Sequence, residues 1–354
     1  MKYKKILIIN EGHSDNLGDQ AINDSLQYLL KCNAIENIEF QDFTKNTDKP
    51  IEIYKEGEKS NKKDSWLRMF KKLIPSKIKW LIKNITRVIK ISKNKYDLVI
   101  IGGGQLILSN ETFSIAMFSW VLLLKLYRNE NIVLFAVGSG TKFTFIDGFL
   151  YKHLLKKVSK IYVRDEKSKM ILKDTFNVDS SFVYDVAFIH KNIINKVSKD
   201  KKSILLGVIS FNVYTRYNKG NLSKYNFFET WITLLKENGL NIEDVKLFYT
   251  TQEDRTASLE FQKYILDKYG VYLTLVETNT KEKLIELLSG SSVVISARMH
   301  ALILALTCNC KIFTYPISSK LIEFGKMFNK DFDKKCLLKV QNNINSRIVE
   351  VLND

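Results

Sequence analysis

The sequence has few of the residues that form disulfides and metal sites, with 4 cysteines and 4 histidines in 354 residues. Cys32, Cys308, Cys310 and Cys336 include no CxxC pair and no metal-ligand spacing, which argues against a disulfide framework and a cysteine-based metal site. The four histidines also lie far apart along the chain. We therefore predict free thiols in a reducing cytoplasm, no metal and no cofactor.

Long apolar runs are missing as well. No stretch reaches the roughly 18 consecutive apolar residues that a transmembrane helix needs. The N-terminal apolar run, Ile6–Ile9, is too short for a signal peptide. With 45% hydrophobic and 26% charged residues, the chain has the composition of a globular protein. We expect it to be cytoplasmic, or peripheral on the inner face of the plasma membrane.

Acidic residues are outnumbered, with 38 Asp and Glu against 55 Lys and Arg and a net charge of +17. The excess is local, because the segment from Lys62 to Lys95 alone carries +11. Apolar residues recur at helical spacing between Ser65 and Lys95, which predicts a basic amphipathic helical hairpin. An anionic membrane surface is the favoured partner of this segment. Nucleic acid is the rival partner, which we do not predict, and plain packing on the sheet is the third explanation.

Only 3 prolines interrupt the chain, and short apolar strands alternate with amphipathic helices along it. This alternation predicts an α/β protein with parallel sheets. Its length suits two Rossmann-like domains, 1–192 with the basic insert 62–95 and 203–320, followed by a helical segment at 321–354. The polar stretch His190–Lys202 is the candidate linker. Ligands of such sheets bind outside the carboxyl ends of the strands, so the site is expected in the cleft.

The first motif, NEGHSDNLGDQAI, follows the first predicted strand. Asn16, Gly18 and Asp19 lie in a turn that leads into a helix. A helix N-terminus offers free backbone N–H groups and the positive end of a dipole, which suits an anion or sugar hydroxyls. An ordinary βα turn with Asp19 as the N-cap explains the same residues.

The second motif, YDLVIIGGGQLI, places Gly102, Gly103 and Gly104 after an apolar strand. Three glycines predict a turn in which the backbone can approach a ligand closely. No GKS or GKT follows them, and the GxGxxG pattern fails at Ile107. The motif therefore favours neither a P-loop ATPase nor a dinucleotide enzyme.

Three further motifs place cations at the boundaries of predicted elements. IYVRDEKSKMIL puts Arg164 at the end of a strand, and SARMHALILALTCN puts Arg298 and His300 at the start of an apolar helix. Lys320 follows in YPISSK. Each residue alone has a structural explanation, such as a surface ion pair or a helix start. Together, from two facing domains, they suit a small substrate that carries carboxylate or phosphate groups.

Taken in order, NLGDQAI, IGGGQLI, VRDEKS, SARMHALILAL and YPISSK resemble the motifs of the polysaccharide pyruvyl transferase family. The resemblance runs roughly from Lys5 to Phe324. It implies a GT-B-like fold of two Rossmann-like domains facing a cleft. It also implies transfer of the pyruvyl group of phosphoenolpyruvate to a sugar of a cell-wall, capsular or exopolysaccharide precursor, with a ketal as product and phosphate released.

The resemblance also implies roles for individual residues. Arg164, Arg298 and Lys320 would bind the carboxylate and phosphate of phosphoenolpyruvate, and His300 would protonate its methylene carbon. Asp19 would activate a sugar hydroxyl as a base. The acceptor would be bound by residues of the first two motifs: Asn16, Gly18, Gly102, Gly103, Gly104 and Gln105. The sequence leaves open whether the acceptor sugar is linked to a lipid or to a nucleotide.

Two other functions stay open at this stage. The first is a GT-B nucleotide-sugar glycosyltransferase of polysaccharide biosynthesis, in which Glu277 or Asp254 would hold a ribose. The second is a membrane-bound scaffold for polysaccharide assembly that has no catalytic activity.

Overall fold

Two parallel β-sheets carry the fold. The computed structural model describes residues 5–45, 50, 53, 74–110, 112–193, 203–218, 222–328 and 332–353. The strands, in chain order, are β1 (Ile6–Asn10), β2 (Ile38–Asp42), β3 (Leu98–Ile107), β4 (Ile132–Ser139), β5 (Lys160–Val163), β6 (Ser181–Phe182), β7 (Ser203–Gly207), β8 (Val245–Leu247), β9 (Thr274–Leu275), β10 (Ser291–Ser296) and β11 (Lys311–Thr314). The sheet orders are β2-β1-β3-β4-β5-β6 and β11-β10-β7-β8-β9, with all pairs parallel.

Helices connect the strands. They are α1 (Leu17–Cys32), α2 (Ser76–Ser92), α3 (Phe113–Leu126), α4 (Phe145–Leu154), α5 (Glu166–Phe176), α6 (Phe211–Tyr217), α7 (Lys224–Glu237), α8 (Gln252–Tyr269), α9 (Lys281–Ser289), α10 (Met299–Thr307), α11 (Ser319–Phe328) and α12 (Lys334–Asn353). The expected α/β class with two Rossmann-like halves is confirmed. The boundaries 1–192, 203–320 and 321–354 stay a prediction.

Hydrophobic cores lie on the faces of the sheets. All five residues of β1 are buried, as expected for a parallel strand covered on both faces. Helix α10 is buried along its length from Ala301 to Thr307, which explains its nearly uniform apolar sequence.

The two halves are joined by a short 3₁₀ segment, Val186–Ile193, which contacts α1, α10 and α12. Gln341 of α12 donates a hydrogen bond to the carbonyl of Phe188 in this segment. His190, predicted to begin a linker, is instead buried at 3% exposure. The predicted linker was therefore wrong at His190, which is buried in a segment that packs between helices of both halves. Residues 194–202 lie outside the described ranges.

The turn predicted at Gly102–Gly104 was also wrong. The strand continues through these glycines to Ile107. A Cβ at Gly102 would lie 2.1 Å from the carbonyl oxygen of Phe135, and one at Gly103 would lie 2.0 Å from Cγ2 of Ile22. Glycine is needed here because the neighbouring strand and α1 approach the backbone of β3, and not because the chain turns.

The basic segment is described from residue 74 onward. Its second predicted arm is α2, whereas residues 65–73 of the first arm lie outside the described ranges. Trp80 and Val88 of α2 are buried, and the Trp80 indole donates to the carbonyl of Thr44. Packing on the sheet therefore accounts for one face of this helix.

Candidate active site

A pocket of about 290 Å³ lies between the carboxyl ends of the two sheets. It is lined by residues that follow β1 and β3 in the first sheet and β7 and β10 in the second. At these points the strand order reverses direction, where open α/β sheets bind their ligands. All the predicted site residues except Gly102 line the pocket: Asn16, Gly18, Asp19, Gly103, Gly104, Gln105, Arg164, Arg298, His300 and Lys320.

The N-terminus of α1 forms one wall. Its N-cap is Asn16, whose side-chain oxygen accepts a hydrogen bond from the N–H of Gly18 at 3.0 Å. The explanation of Asp19 as the N-cap was therefore wrong, and Asp19 lies in the first helical turn. A Cβ at Gly18 would lie 2.3 Å from the Cβ of His300. Glycine at this position thus lets the helix start lie against the histidine.

His300 lies between two carboxylates and a guanidinium. Its Nε2 is 3.0 Å from Nη1 of Arg164 and 3.4 Å from Oδ2 of Asp185, and its Nδ1 is 3.8 Å from Oδ1 of Asp19. Arg164 donates to Asp185 at 2.6 Å. Each ring nitrogen of His300 therefore faces a carboxylate, and Nε2 also lies beside the Arg164 guanidinium.

Burial affects the two carboxyl groups beside His300 differently. It tends to raise the pKa of Asp185, but the Arg164 guanidinium and the hydrogen bond with His300 outweigh it and hold that pKa far below its usual range. For Asp19, burial is the dominant effect and raises the pKa, despite the opposing charges of His300 and Arg164. Asp185 is therefore the carboxyl that stays ionised beside His300, whereas Asp19 is the carboxyl that takes up a proton more readily.

Arg164 and Lys320 lie close together beside Gly138. Nε of Arg164 and Nζ of Lys320 are buried, and neither has a hydrogen-bond partner among the residues that the structure describes. Nζ of Lys320 lies 3.5 Å from Asp165 Oδ2, an ion-pair distance. A Cβ at Gly138 would come within 3.0 Å of the first nitrogen and 3.1 Å of the second. The glycine thus leaves space between two unsatisfied donors, an arrangement that suits an anionic oxygen.

Arg298 is paired within the second half. Its Nε and Nη2 donate to both oxygens of Asp254 at 2.9 and 2.7 Å. This bidentate pair fixes the guanidinium at the pocket wall and largely neutralises its charge. The sequence did not reveal the pair, since its members are 44 residues apart.

The glycines of β3 and the residue after them form the floor on the first-sheet side. Gly103 and Gly104 have φ values of +75° and +84°, which favour glycine. Asp19 Oδ1 would lie 3.8 Å from a Cβ at Gly104. The Gln105 amide donates to the carbonyl of Ser139 at 3.1 Å, so this side chain is held at the rim by β4.

Sequence reasoning missed Asp185 and Glu11. Glu11 directly follows β1, and Asp185 lies three residues after the end of β6. A carboxylate near the end of a strand was the signal that could have found them. Glu11 lines the pocket and accepts a hydrogen bond from the Thr44 hydroxyl. Burial, followed by the charge of Asp42, raises the pKa of Glu11 from 4.5 to about 8. Glu11 is therefore protonated in the folded protein at neutral pH.

We expect Glu11→Gln to stabilise the protein in a pH-dependent way. The unfolded chain loses the Glu11 proton near pH 4.5, whereas the folded chain keeps it until about 8, so the wild type is progressively destabilised between these values. The variant should gain roughly 2–4 kcal/mol at about pH 8.5 and little at about pH 4.5. Denaturant unfolding at the two pH values measures this. Glu36→Gln, at an exposed site, is the control; an equal difference at both pH values would contradict the prediction.

Comparison with known protein families gives one match. The model of the family described as polysaccharide pyruvyl transferase matches residues 16–319. The chain belongs to the polysaccharide pyruvyl transferase family. The matched range contains the whole pocket wall from Asn16 to Arg298 and His300, and it ends one residue before Lys320. Membership of the family supports pyruvyl transfer in polysaccharide biosynthesis and identifies a sugar of a polysaccharide as the class of acceptor.

Solved structures resemble the pyruvyl transferase chain in fold. UDP-GlcNAc 2-epimerase from Neisseria meningitidis, bound to UDP-GlcNAc, has 13% identity and a TM-score of 0.53, and the alignment covers 98% of this chain and 99% of that one. UDP-GlcNAc 2-epimerase from Methanocaldococcus jannaschii has 12% identity and a TM-score of 0.51, with 99% of both chains covered. These likenesses confirm the GT-B-like fold and nothing finer. A search of curated proteins found no match.

The described residues were also searched for two other kinds of feature. Within them, no group of three or more His, Cys, Asp or Glu side chains is placed to hold a metal ion. No helix of the described ranges combines the length and apolar character that crossing a bilayer requires.

Proposed function

We propose that the protein transfers the pyruvyl group of phosphoenolpyruvate to two hydroxyls of a sugar in a cell-surface polysaccharide precursor, with a ketal and phosphate as products. One observation carries the choice of donor. Arg164 Nε is a buried donor without a hydrogen-bond partner among the described residues, Lys320 Nζ has only its 3.5 Å ion pair with Asp165, and Gly138 leaves space between the two nitrogens. A carboxylate or phosphate oxygen at this position would satisfy both donors, and phosphoenolpyruvate offers both groups.

In this proposal His300 is the general acid. Its proton goes to the methylene carbon of the donor, which becomes a methyl group and leaves C2 electron-poor. Arg164 and Lys320 hold the anionic groups and fix C2 beside the acceptor. Asp185 holds the imidazole through Nε2 and stays charged throughout, so we propose it as a positioning residue.

The acceptor is proposed to approach from the α1 and β3 side, along Asn16, Gly18, Gly103, Gly104 and Gln105. One hydroxyl attacks C2 and gives its proton to Asp19. The C2–O bond to phosphate then breaks, and the second hydroxyl closes the ketal while its proton leaves with the phosphate. The two hydroxyl protons balance the reaction, because one replaces the proton that His300 gives to the methylene carbon and the other leaves with the phosphate. Gly102, buried against β4, has a structural role only.

We expect the purified protein to release phosphate from phosphoenolpyruvate only when a suitable sugar acceptor is present. The product should gain the mass of pyruvic acid less one water, because two hydroxyls are bridged by one ketal carbon. Phosphate release measured together with mass spectrometry of the acceptor tests this. Release without an acceptor product, or no release with a broad panel of polysaccharide precursors, would contradict the proposal.

Among the described residues, no contact in the pocket favours the alternative function, a nucleotide-sugar glycosyltransferase. Asp254 is occupied by Arg298, and Glu277 accepts from the Tyr249 hydroxyl and from Arg255. Neither carboxylate is free to hold a ribose in this structure. A thermal-shift comparison separates the two functions, since a shift with phosphoenolpyruvate but not with UDP- or GDP-sugars supports pyruvyl transfer.

A further inference from the structure

Six bulky apolar side chains are exposed near the starts of α2 and α4. We call them the apolar tip: Ile74, Ile78, Ile82, Phe145, Ile146 and Phe149. Phe145 is 90% exposed, Ile82 68% and Ile146 60%. Ile78 and Ile82 lie four residues apart on one stripe of α2, and Ile74 directly precedes the N-cap of that helix, Pro75. Trp80 and Val88 occupy its opposite, buried face, so packing on the sheet leaves this stripe unexplained.

The buried carboxylate of Asp147 connects the first turns of α2, α3 and α4. Asp147 of α4 lies 3.0 Å from Nζ of Lys77 at the start of α2 and accepts hydrogen bonds from Ser114 of α3 and from Ser109. Ile78 adjoins Lys77 in sequence, and Ile146 adjoins Asp147. The Lys77–Asp147 ion pair therefore brings the starts of α2 and α4, which carry the apolar tip, close to one another.

Within α2, α3 and α4, the exposed charges have one sign. Asp147 is the sole acidic residue of α2, α3 and α4, and it is buried. Lysines flank the exposed apolar side chains, namely Lys79 and Lys83 on α2, Lys142 before α4 and Lys152 on it. Protruding apolar side chains ringed by lysines suit the interface of an anionic bilayer, where apolar groups enter the acyl boundary and ammonium groups meet phosphates.

The apolar tip also adjoins the pocket. Phe113, the first residue of α3, and Leu108 both line the pocket. Leu108 precedes Ser109, which is hydrogen-bonded to Asp147. The apolar tip, which adjoins Asp147, would thus lie next to the part of the cleft to which the acceptor is assigned.

We propose that the apolar tip and its surrounding lysines dock the protein on an anionic lipid bilayer. The consequence for the substrate, which rests on the proposed function, is that the acceptor sugar is presented from that bilayer on a lipid carrier. Docking itself requires only the apolar tip and its lysines, and does not depend on the proposed function. It involves α3 and α4 as well as the basic segment in which the sequence placed membrane contact.

The test is co-flotation of the full chain with vesicles of phosphatidylglycerol and phosphatidylcholine, compared with phosphatidylcholine alone. We expect binding to the anionic vesicles that weakens with salt. Phe145→Ser/Ile146→Ser should weaken it by about tenfold or more, and Lys79→Gln/Lys83→Gln should remove much of the salt-sensitive part. Met170→Ser/Tyr272→Ser, which changes two side chains of 63% and 70% exposure elsewhere, should bind as the wild type does.

Several results would overturn the proposal. These are equal binding by wild type and Phe145→Ser/Ile146→Ser, binding to neutral vesicles alone, or no binding together with a concentration-dependent dimer that the same variant dissociates. Unfolding temperatures show that each variant is folded. Phosphate release with a water-soluble acceptor analogue should be unchanged in Phe145→Ser/Ile146→Ser. If that activity is absent in the wild type while flotation persists, the proposed function fails and the docking surface stands.

Discussion

Replacing Lys320 by methionine is expected to weaken phosphoenolpyruvate binding by roughly 30–100-fold at neutral pH, because a charged hydrogen bond to the donor is lost. The nitrogen is buried without a hydrogen-bond partner, so no other contact in the described chain replaces the one that the donor would make. Titration calorimetry with phosphoenolpyruvate measures the change. Lys326→Met, at an exposed position of the same helix, is the matched control and should bind the donor normally.

The pH dependence of binding identifies the lysine charge as the cause. Burial, followed by the positive charge of Arg164, lowers the pKa of Lys320 from 10.5 to about 8. Wild-type affinity should therefore fall as pH rises through about 8, by up to about tenfold per pH unit, since the neutral amine no longer attracts an anion. In Lys320→Met this fall should be absent. A variant that binds the donor as tightly as the wild type would place the anion site elsewhere in the protein.

Lys320→Met is expected to remain folded. Removing Lys320 relieves its repulsion with Arg164 but leaves Asp165 without its ion pair, and these two effects on stability oppose one another. We expect the unfolding temperature to change by less than about 5 °C. Binding and stability are therefore separable in this variant.

The sequence predicted best the bounds of strands and helices, which are set by apolar patterning and capping residues close by in the chain. Lys160–Val163, Glu166–Phe176 and Met299–Thr307 have the bounds expected from apolar patterning and from capping residues. Asp165, for instance, caps α5 by accepting from the N–H of Ser168. Because such residues also fix the strand ends, the sequence could place Arg164 and His300 at the same edge of facing sheets.

The errors have a common origin in contacts between distant parts of the chain. Gly102 and Gly103 suggested a turn, but their lack of a side chain is required by Phe135 and Ile22. Asp185 carried no motif, and its role is visible only once Arg164 and His300 lie beside it. The partner of Arg298, Asp254, was likewise not visible in the sequence, and the role of Arg298 in donor binding stays a prediction. A single sequence does not reveal which residue completes a buried pair.

Replacing His300 by alanine is expected to lower turnover by about 10²–10⁴-fold while phosphoenolpyruvate affinity changes by only a few-fold. The imidazole is proposed to act on the methylene carbon, whereas Arg164 and Lys320 hold the anionic groups, so chemistry and binding should separate. Steady-state phosphate release and calorimetry measure the two quantities. His153→Ala, which removes an exposed histidine of α4, should change neither.

Solvent deuterium tests whether the methylene carbon is protonated during turnover, and the loss of turnover in His300→Ala then assigns that step to the imidazole. An imidazole proton exchanges with water, so wild-type turnover in deuterium oxide should place one deuterium in the methyl group of the ketal. Asp185→Asn, which keeps His300 but removes its charged partner at 3.4 Å, should slow that step without abolishing it. Near wild-type turnover in His300→Ala would contradict the assignment. So would a His300→Ala protein that loses donor binding as completely as Lys320→Met, because the histidine would then belong to the anion site.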